Sequence, residues 1–323
     1  MNNFSRRTVT GMLASIAATP ALGQAAGAGN VTLVVPFPPG GSTDALARLL
    51  QPGLQQRLGA NVIIENKPGG AGSIGASQAA RSTPNGTTFL LTFDSHAVIP
   101  ALIKQPSVDV QKDLVPVLLV GTAPYVIATS VNRPYKSFAD VVAAAKAKPG
   151  SVNFGSVGLG TIGHLAMALL SKASNCEITH VPYKGGGPAV NDVIGGHVEL
   201  IAGSAALLMP QFTGGTMRPL MQTGRTRLDS LPDVPTAIES GFADFDALAW
   251  WGVFAPAATP APIIAKTFET FKAALSEESV AKRLKETQQI NLMLSGPEDF
   301  GKFFATQVQR WGAVVRENNI EAN

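Results

Sequence analysis

The chain has 323 residues, 45% hydrophobic, 15% charged and 7% aromatic, enough for two domains that each bury a core. That balance excludes a disordered chain, and no run of about 18 uninterrupted apolar residues is present to span a membrane. The formal charge of +3 drops to about +1 without the first 25 residues, which leaves 23 basic against 22 acidic groups and argues against nucleic acid as a partner. Cys176 is the only cysteine, so no internal disulfide forms.

Residues 1–25 read as an export signal peptide: Arg6 and Arg7, a moderately apolar stretch, then small residues with cleavage near residues 23–28. This leader directs the mature chain to the periplasm. Ser5-Arg6-Arg7 resembles a twin-arginine signal, while Val9 and Thr10 depart from it and leave the general secretory route open.

The chain then alternates strand-like and helix-like segments, the pattern of an α/β protein with largely parallel sheet. Residues 31–36 predict a strand, and 43–57 a helix capped by Ser42 or Thr43. Strands are predicted over 61–66 and 87–93, with a helix near 74–82 between them. Residues 115–131 read as two short strands around Gly121-Thr122-Ala123-Pro124. Ser137 caps a helix that stops at Pro149-Gly150. A strand over 177–183, a helix near 188–195 and a strand over 197–203 follow. The run 248–260 starts strand-like, and 261–323 is mostly helical.

Two of these units share one layout. Residues 31–50 and 151–170 each run from strand through a glycine-rich loop into an amphipathic helix. Such a junction presents free backbone N–H groups and the positive end of a helix dipole, a site for an anion. A pair of them, one in each half, points to two anion-holding loops facing one another across a cleft. Glycine is common in such loops in any α/β protein, so the pairing carries more weight than either loop alone.

Other candidates are weaker. Gly158-Leu-Gly160-Thr-Ile-Gly163 matches the dinucleotide fingerprint between a strand and a helix, but the following strand ends Val181-Pro182-Tyr183-Lys184 without the ribose-binding acid. Lys184 keeps an NADP version of that reading open. It is the basis of the alternative, a twin-arginine-exported Rossmann-type NAD(P)-dependent oxidoreductase. His96, His164, His180 and His197 show no metal-ligand spacing, and no metal or cofactor is expected. His164, one turn into its helix, either donates to a bound carboxylate or bonds locally. Asp44 suits the first turn of its helix. Phe37 and Trp250-Trp251 line a pocket or pack an interface.

The chain resembles the substrate-binding proteins of tripartite tricarboxylate transporters, the TctC-like or Bug family, over nearly all of its mature length. The resemblance rests on Val35-Pro36-Phe37-Pro38-Pro39-Gly40-Gly41-Ser42-Thr43-Asp44 and on Glu65-Asn66-Lys67-Pro68-Gly69-Gly70-Ala71-Gly72. It extends to Pro182-Tyr183-Lys184-Gly185-Gly186-Gly187-Pro188-Ala189 with Asp192, to Leu231 through Thr236, and to Trp251-Gly252 through Ala255-Pro256. It implies an α/β two-domain periplasmic binding protein (type II, Venus-flytrap) with a hinge between two mainly parallel-sheet domains.

It also implies a non-catalytic protein that captures a small di- or tricarboxylate-like acid. The partners would be that ligand and either permease subunits of a tripartite tricarboxylate transporter or a sensor, with the protein a monomer. The expected domains are 29–125 plus 253–323, and 126–252. The expected ligand contacts are Phe37, Pro39, Gly40, Gly41, Ser42 and Thr43 of the first loop, and Ser156, Gly158, Gly160, Thr161 and His164 of the second. Ser95, Gly203 and Ser204 complete the set. One departure stands out: where family members often carry an aromatic–Asp pair, this chain has Ala202-Gly203-Ser204.

Overall fold

The computed structural model describes residues 29–321, so the predicted leader lies outside the described residues. β1 (Val31–Val35) leads through the loop 36–41 into α1 (Ser42–Leu58), which buries Leu46, Ala47, Leu50 and Leu54 at helical spacing. Gly41, not Ser42 or Thr43, takes the N-cap position, and no side chain caps the helix. β2 (Val62–Asn66) and β3 (Thr88–Phe93) flank β1 in parallel, with α2 (Ser73–Ala80) between them and a short α3 (Ile99–Leu102) after β3.

The predicted pair of short strands over 115–131 is a single 17-residue strand, β4 (Leu114–Ser130). Gly121 and Pro124 look like breakers, yet each fits its neighbours. A Cβ on residue 121 would run into the Asn291 carbonyl oxygen of β10 (Asn291–Ser295), the strand that pairs alongside. Pro124 falls where β4 changes partners. Up to Pro124 it pairs with β9 (Leu248–Pro256), and from Tyr125 it pairs with β7 (Leu200–Ser204).

The second half repeats the strand–helix alternation. α4 (Phe138–Ala147) has the predicted Ser137 cap: Ser137 Oγ accepts the Asp140 N–H at 3.2 Å, and Asp140 Oδ2 accepts the Ser137 N–H at 2.9 Å. Then come β5 (Asn153–Ser156), α5 (Ile162–Ala173), β6 (Thr179–Pro182), α6 (Gly186–Ile194), β7, α7 (Ala205–Thr213) and β8 (Met217–Gln222). α8 (Ala261–Leu275), α9 (Glu278–Glu286) and α10 (Pro297–Glu317) then follow β9. α10 returns the chain to the first half, where Phe300 and Phe304 pack on Trp250 and Phe254.

The ten strands form one hydrogen-bonded path, β2-β1-β3-β9-β4-β7-β5-β6, with β8 and β10 added to β4. The outer strands of each half are parallel, and pairing turns antiparallel where β4 and β9 join. β9 lies wholly in the first half: Trp251 to Phe254 pair with β3 on one side and β4 on the other. The expected boundary at 252/253 therefore falls inside a fully paired strand. Trp250 and Trp251 are core residues with no exposed surface, Trp251 resting on Phe93 at 5.2 Å between ring centres.

Thr223 staples the two passages between halves. Its buried hydroxyl accepts the Tyr125 N–H at 2.9 Å and donates to the Ala247 carbonyl. Thr223→Val keeps the shape but leaves both groups unpaired, and is expected to destabilise the protein by about 1–3 kcal/mol. Urea unfolding measures the loss; an unchanged midpoint would show the staple contributes nothing.

Candidate functional site

Four strand-to-helix loops converge on the cleft between the halves. The first, 36–41, is braced from behind by Asp44. Asp44 Oδ2 accepts the Gly40 N–H at 3.0 Å and the Arg48 Nε–H at 2.9 Å. Asn66 Nδ2 bridges Asp44 Oδ1 and the Phe37 carbonyl, both at 3.0 Å. Burial works against the Asp44 carboxylate, yet the bonds from Arg48, Gly40 and Asn66 outweigh it and hold its pKa below the usual value. The loop's opposite number is not the second predicted loop alone but also 184–186, after β6. Gly185 sits at φ +151°, and a Cβ there would come within 3.0 Å of Pro38. Only glycine allows the two halves to meet so closely at that backbone angle.

Two chambers result, with Phe37 and Val157 lining both. The inner one, about 20 Å³, has room for about one water-sized group and is lined by Gly41, Ser42, Thr43, Gly185, Gly186 and Ser204. The N-termini of α1, α6 and α7 meet there, none with a side-chain cap, so their first N–H groups and the Ser204 hydroxyl remain to serve an anion. The outer chamber, about 310 Å³, is bounded by the turn 69–72, Ile103, Leu159, Thr161, Ser95, Tyr183 and Lys184.

Of the residues the sequence singles out, the structure brings Phe37, Gly41, Ser42, Thr43, Ser95, Gly158, Thr161 and Ser204 to the chamber walls. Pro39 and Gly40 sit on the exposed turn behind the first loop. Gly203 lies within β7 against Leu208. Ser156, Gly160 and His164 stand behind the second loop and shape it. Ser156 Oγ donates to the Gly158 carbonyl at 2.9 Å and meets His180 Nε2 at 2.7 Å. Gly160, at φ +75°, donates its N–H to His164 Nδ1 at 3.2 Å. His164 in turn stacks on His180 with 3.7 Å between ring centres. Burial, and for His164 the neighbouring His180, press these imidazoles down to about 3 and about 4.

The N-terminus of α5 is also occupied from within. Asp94, at the end of β3 and wholly buried, accepts the Ile162 N–H at 3.2 Å on Oδ1 and the Tyr125 hydroxyl at 2.5 Å on Oδ2. Burial pushes the Asp94 carboxyl up to about 8, against the pull of those donors and of the Ser95 N–H. Two N–H groups that a pyrophosphate would need, those of Gly160 and Ile162, are thus engaged by the protein itself, which argues against the fingerprint at 158–163 as a dinucleotide site.

Sequence reasoning missed the turn 69–72 and the segment 182–186 as cleft residues. The signal was present, since both are glycine-rich stretches between a strand and a helix.

The fold and this cleft define a two-domain periplasmic binding protein. The structure of the periplasmic binding protein BugD is similar at a TM-score of 0.86 and 30% identity, covering 91% of this chain and 99% of that one. Residues 46–320 match the TctC family, described as the tripartite tricarboxylate transporter family receptor, and the chain belongs to it. BugT of Bordetella pertussis is 35% identical over 90% of each protein. An R. palustris protein solved with adipate is similar at a TM-score of 0.86 and 31% identity, covering 91% of this chain and 99% of that one. MatC from Rhodopseudomonas palustris, with bound malate, is similar at 0.84 and 29%, covering 89% and 99%.

The titrations set a stability optimum. Folded Asp94 holds a proton up to about pH 8 against an ordinary value of 3.8, so its contribution is full below pH 4 and is lost as pH rises through 8. His96, pressed by burial to about 3, behaves oppositely together with His164 and His180. Their contribution is full above pH 6.5 and is lost as pH falls toward 3–4. Between pH 6.5 and 8 only the Asp94 effect operates among these groups, and stability is expected to fall by about 1–2 kcal/mol. Asp94→Asn should flatten that alkaline limb and steepen the acid limb, where the histidines then act unopposed, as read by melting temperature against pH. A limb of equal slope in both proteins would refute the assignment.

Proposed function

We propose that this chain is an exported, non-catalytic receptor that captures a small organic acid between its two halves, for a tripartite tricarboxylate transporter or a sensor. The observation that carries this reading is the inner chamber, where three uncapped helix N-termini from opposite halves converge and no acidic side chain intrudes. A carboxylate oxygen seated there gains N–H bonds and the favourable ends of three dipoles without an arginine. The adipate and malate of its relatives are acids of that kind. The leader supports export to the periplasm, and among the described residues no helix is long and apolar enough to cross a membrane.

Neither half encloses an anion alone, so a ligand touching both favours the closed form by the contacts it gains there. We place the passages between halves at Pro124–Tyr125 and Ala247–Leu248, where strand partners change and Thr223 ties the two together. The proposed domains are then 29–124 with 248–321, and 125–247.

Native mass spectrometry of gently purified protein is expected to show a retained small acid. Adding that acid should raise the melting temperature by linkage and reduce the radius of gyration in solution scattering. Gly185→Val, which presses on Pro38, should weaken binding at least tenfold while both halves stay folded. Saturated binding without compaction would refute the two-sided clamp.

A further inference from the structure

We infer that the outer chamber selects a diacid with a bare apolar body, free of amino and hydroxyl groups along its chain, and that Lys184 is the charge partner of its second carboxylate. This rests on the carboxylate reading above. The family itself spans both types, since one relative holds adipate and another the hydroxy acid malate. The choice therefore falls to this chain's own wall.

That wall is mostly carbon, from Pro36, Phe37, Ile103, Val157 and Leu159. Phe37 is held edge-on against Phe93 at 6.1 Å and 88°, so it forms a fixed face rather than an adaptable one. The hydroxyls on the wall have committed their protons inward. Ser95 Oγ donates to the Ala71 carbonyl at 2.9 Å, Thr161 Oγ1 to the Gly158 carbonyl at 2.8 Å, and the Tyr183 hydroxyl to Asp192 at 2.6 Å.

None of these hydroxyls offers a proton to a second carboxylate. The exposed Lys184 does: among the described residues it is the one cation lining either chamber. Among the described residues no Asp or Glu lines either chamber, so a ligand ammonium would be desolvated without a counter-charge. The end of β7 at the cleft carries no acid either, its last residues being Ala202-Gly203-Ser204. A mid-chain hydroxyl would likewise trade water for carbon, because the Ser95 and Thr161 oxygens that could accept from it are almost wholly buried. The volume of about 310 Å³ lies at the small end for a ligand pocket and suits a short diacid.

Calorimetry at low salt with adipate, 3-hydroxyadipate, 3-aminoadipate and hexanoate tests the inference. Adipate is expected to bind at least tenfold tighter than either substituted diacid. In Lys184→Met the ratio of adipate to hexanoate affinity should fall about fivefold, an effect that shrinks as salt is added. Substituted diacids binding as tightly as adipate would overturn the apolar-body selection. An unchanged adipate-to-hexanoate ratio would overturn the role of Lys184. A retained acid bearing amino or hydroxyl groups would sink this inference and leave the carboxylate reading standing, whereas silence from all four acids and no retained acid would overturn both.

Discussion

β4 is the member on which the rest of the molecule hangs. One uninterrupted strand from Leu114 to Ser130 contributes its first half to one sheet and its second half to the other. Strand twist and the change of partner at Pro124 set how the two sheets face each other, and so where their loops can meet. Because β9 and β7 are both laid against this strand, the loops at the ends of β1, β5 and β6 arrive at one cleft rather than on separate faces. Gly121 is accommodated because the Asn291 carbonyl of β10 leaves no room for a side chain there, and Pro124 because it falls where the strand changes partners.

The helix N-termini around the cleft have divided roles. α5, the helix after the second glycine loop, has its first N–H, that of Ile162, taken by Asp94 and its loop held by His164. It is a scaffold. α1, α6 and α7 have no side-chain cap and meet at the inner chamber, which is why the proposed carboxylate seat is placed with them. Asp94 reaches α5 from the first half of the chain, beside Tyr125 at the passage between halves. A wholly buried carboxyl in that position joins the two halves through hydrogen bonds rather than through an ion pair, which is why its protonation registers in stability.

The cleft combines a polar seat and an apolar body. Backbone dipoles at a fixed point recognise a carboxylate with little regard to what is attached to it, and the attached part is then discriminated by the outer wall. In this chain the wall is carbon, with its hydroxyl protons turned inward and Lys184 at the mouth. In the proposed reading, affinity for the charge and selectivity for the body are thereby carried by different residues.

The sequence by itself determined the local units. The strand–glycine loop–helix pattern at 31–58 and 151–173, the Ser137 cap and the family stretches were legible, because periodicity, capping and turn chemistry are properties of neighbouring residues. β10 was missed because it is a five-residue strand with none of its residues fully buried, and β8 because Arg218 and Pro219 break up its few apolar residues. Only the tertiary structure decided that 114–130 is one strand, since partners distant in sequence pair along it through Gly121 and up to and beyond Pro124. It alone decided that Gly160 and His164 face away from the cleft while Gly185 and Lys184 face into it. Which N–H groups remain free for a ligand depends on what the rest of the fold brings against them, and Asp94 lies 68 residues before the N–H it occupies.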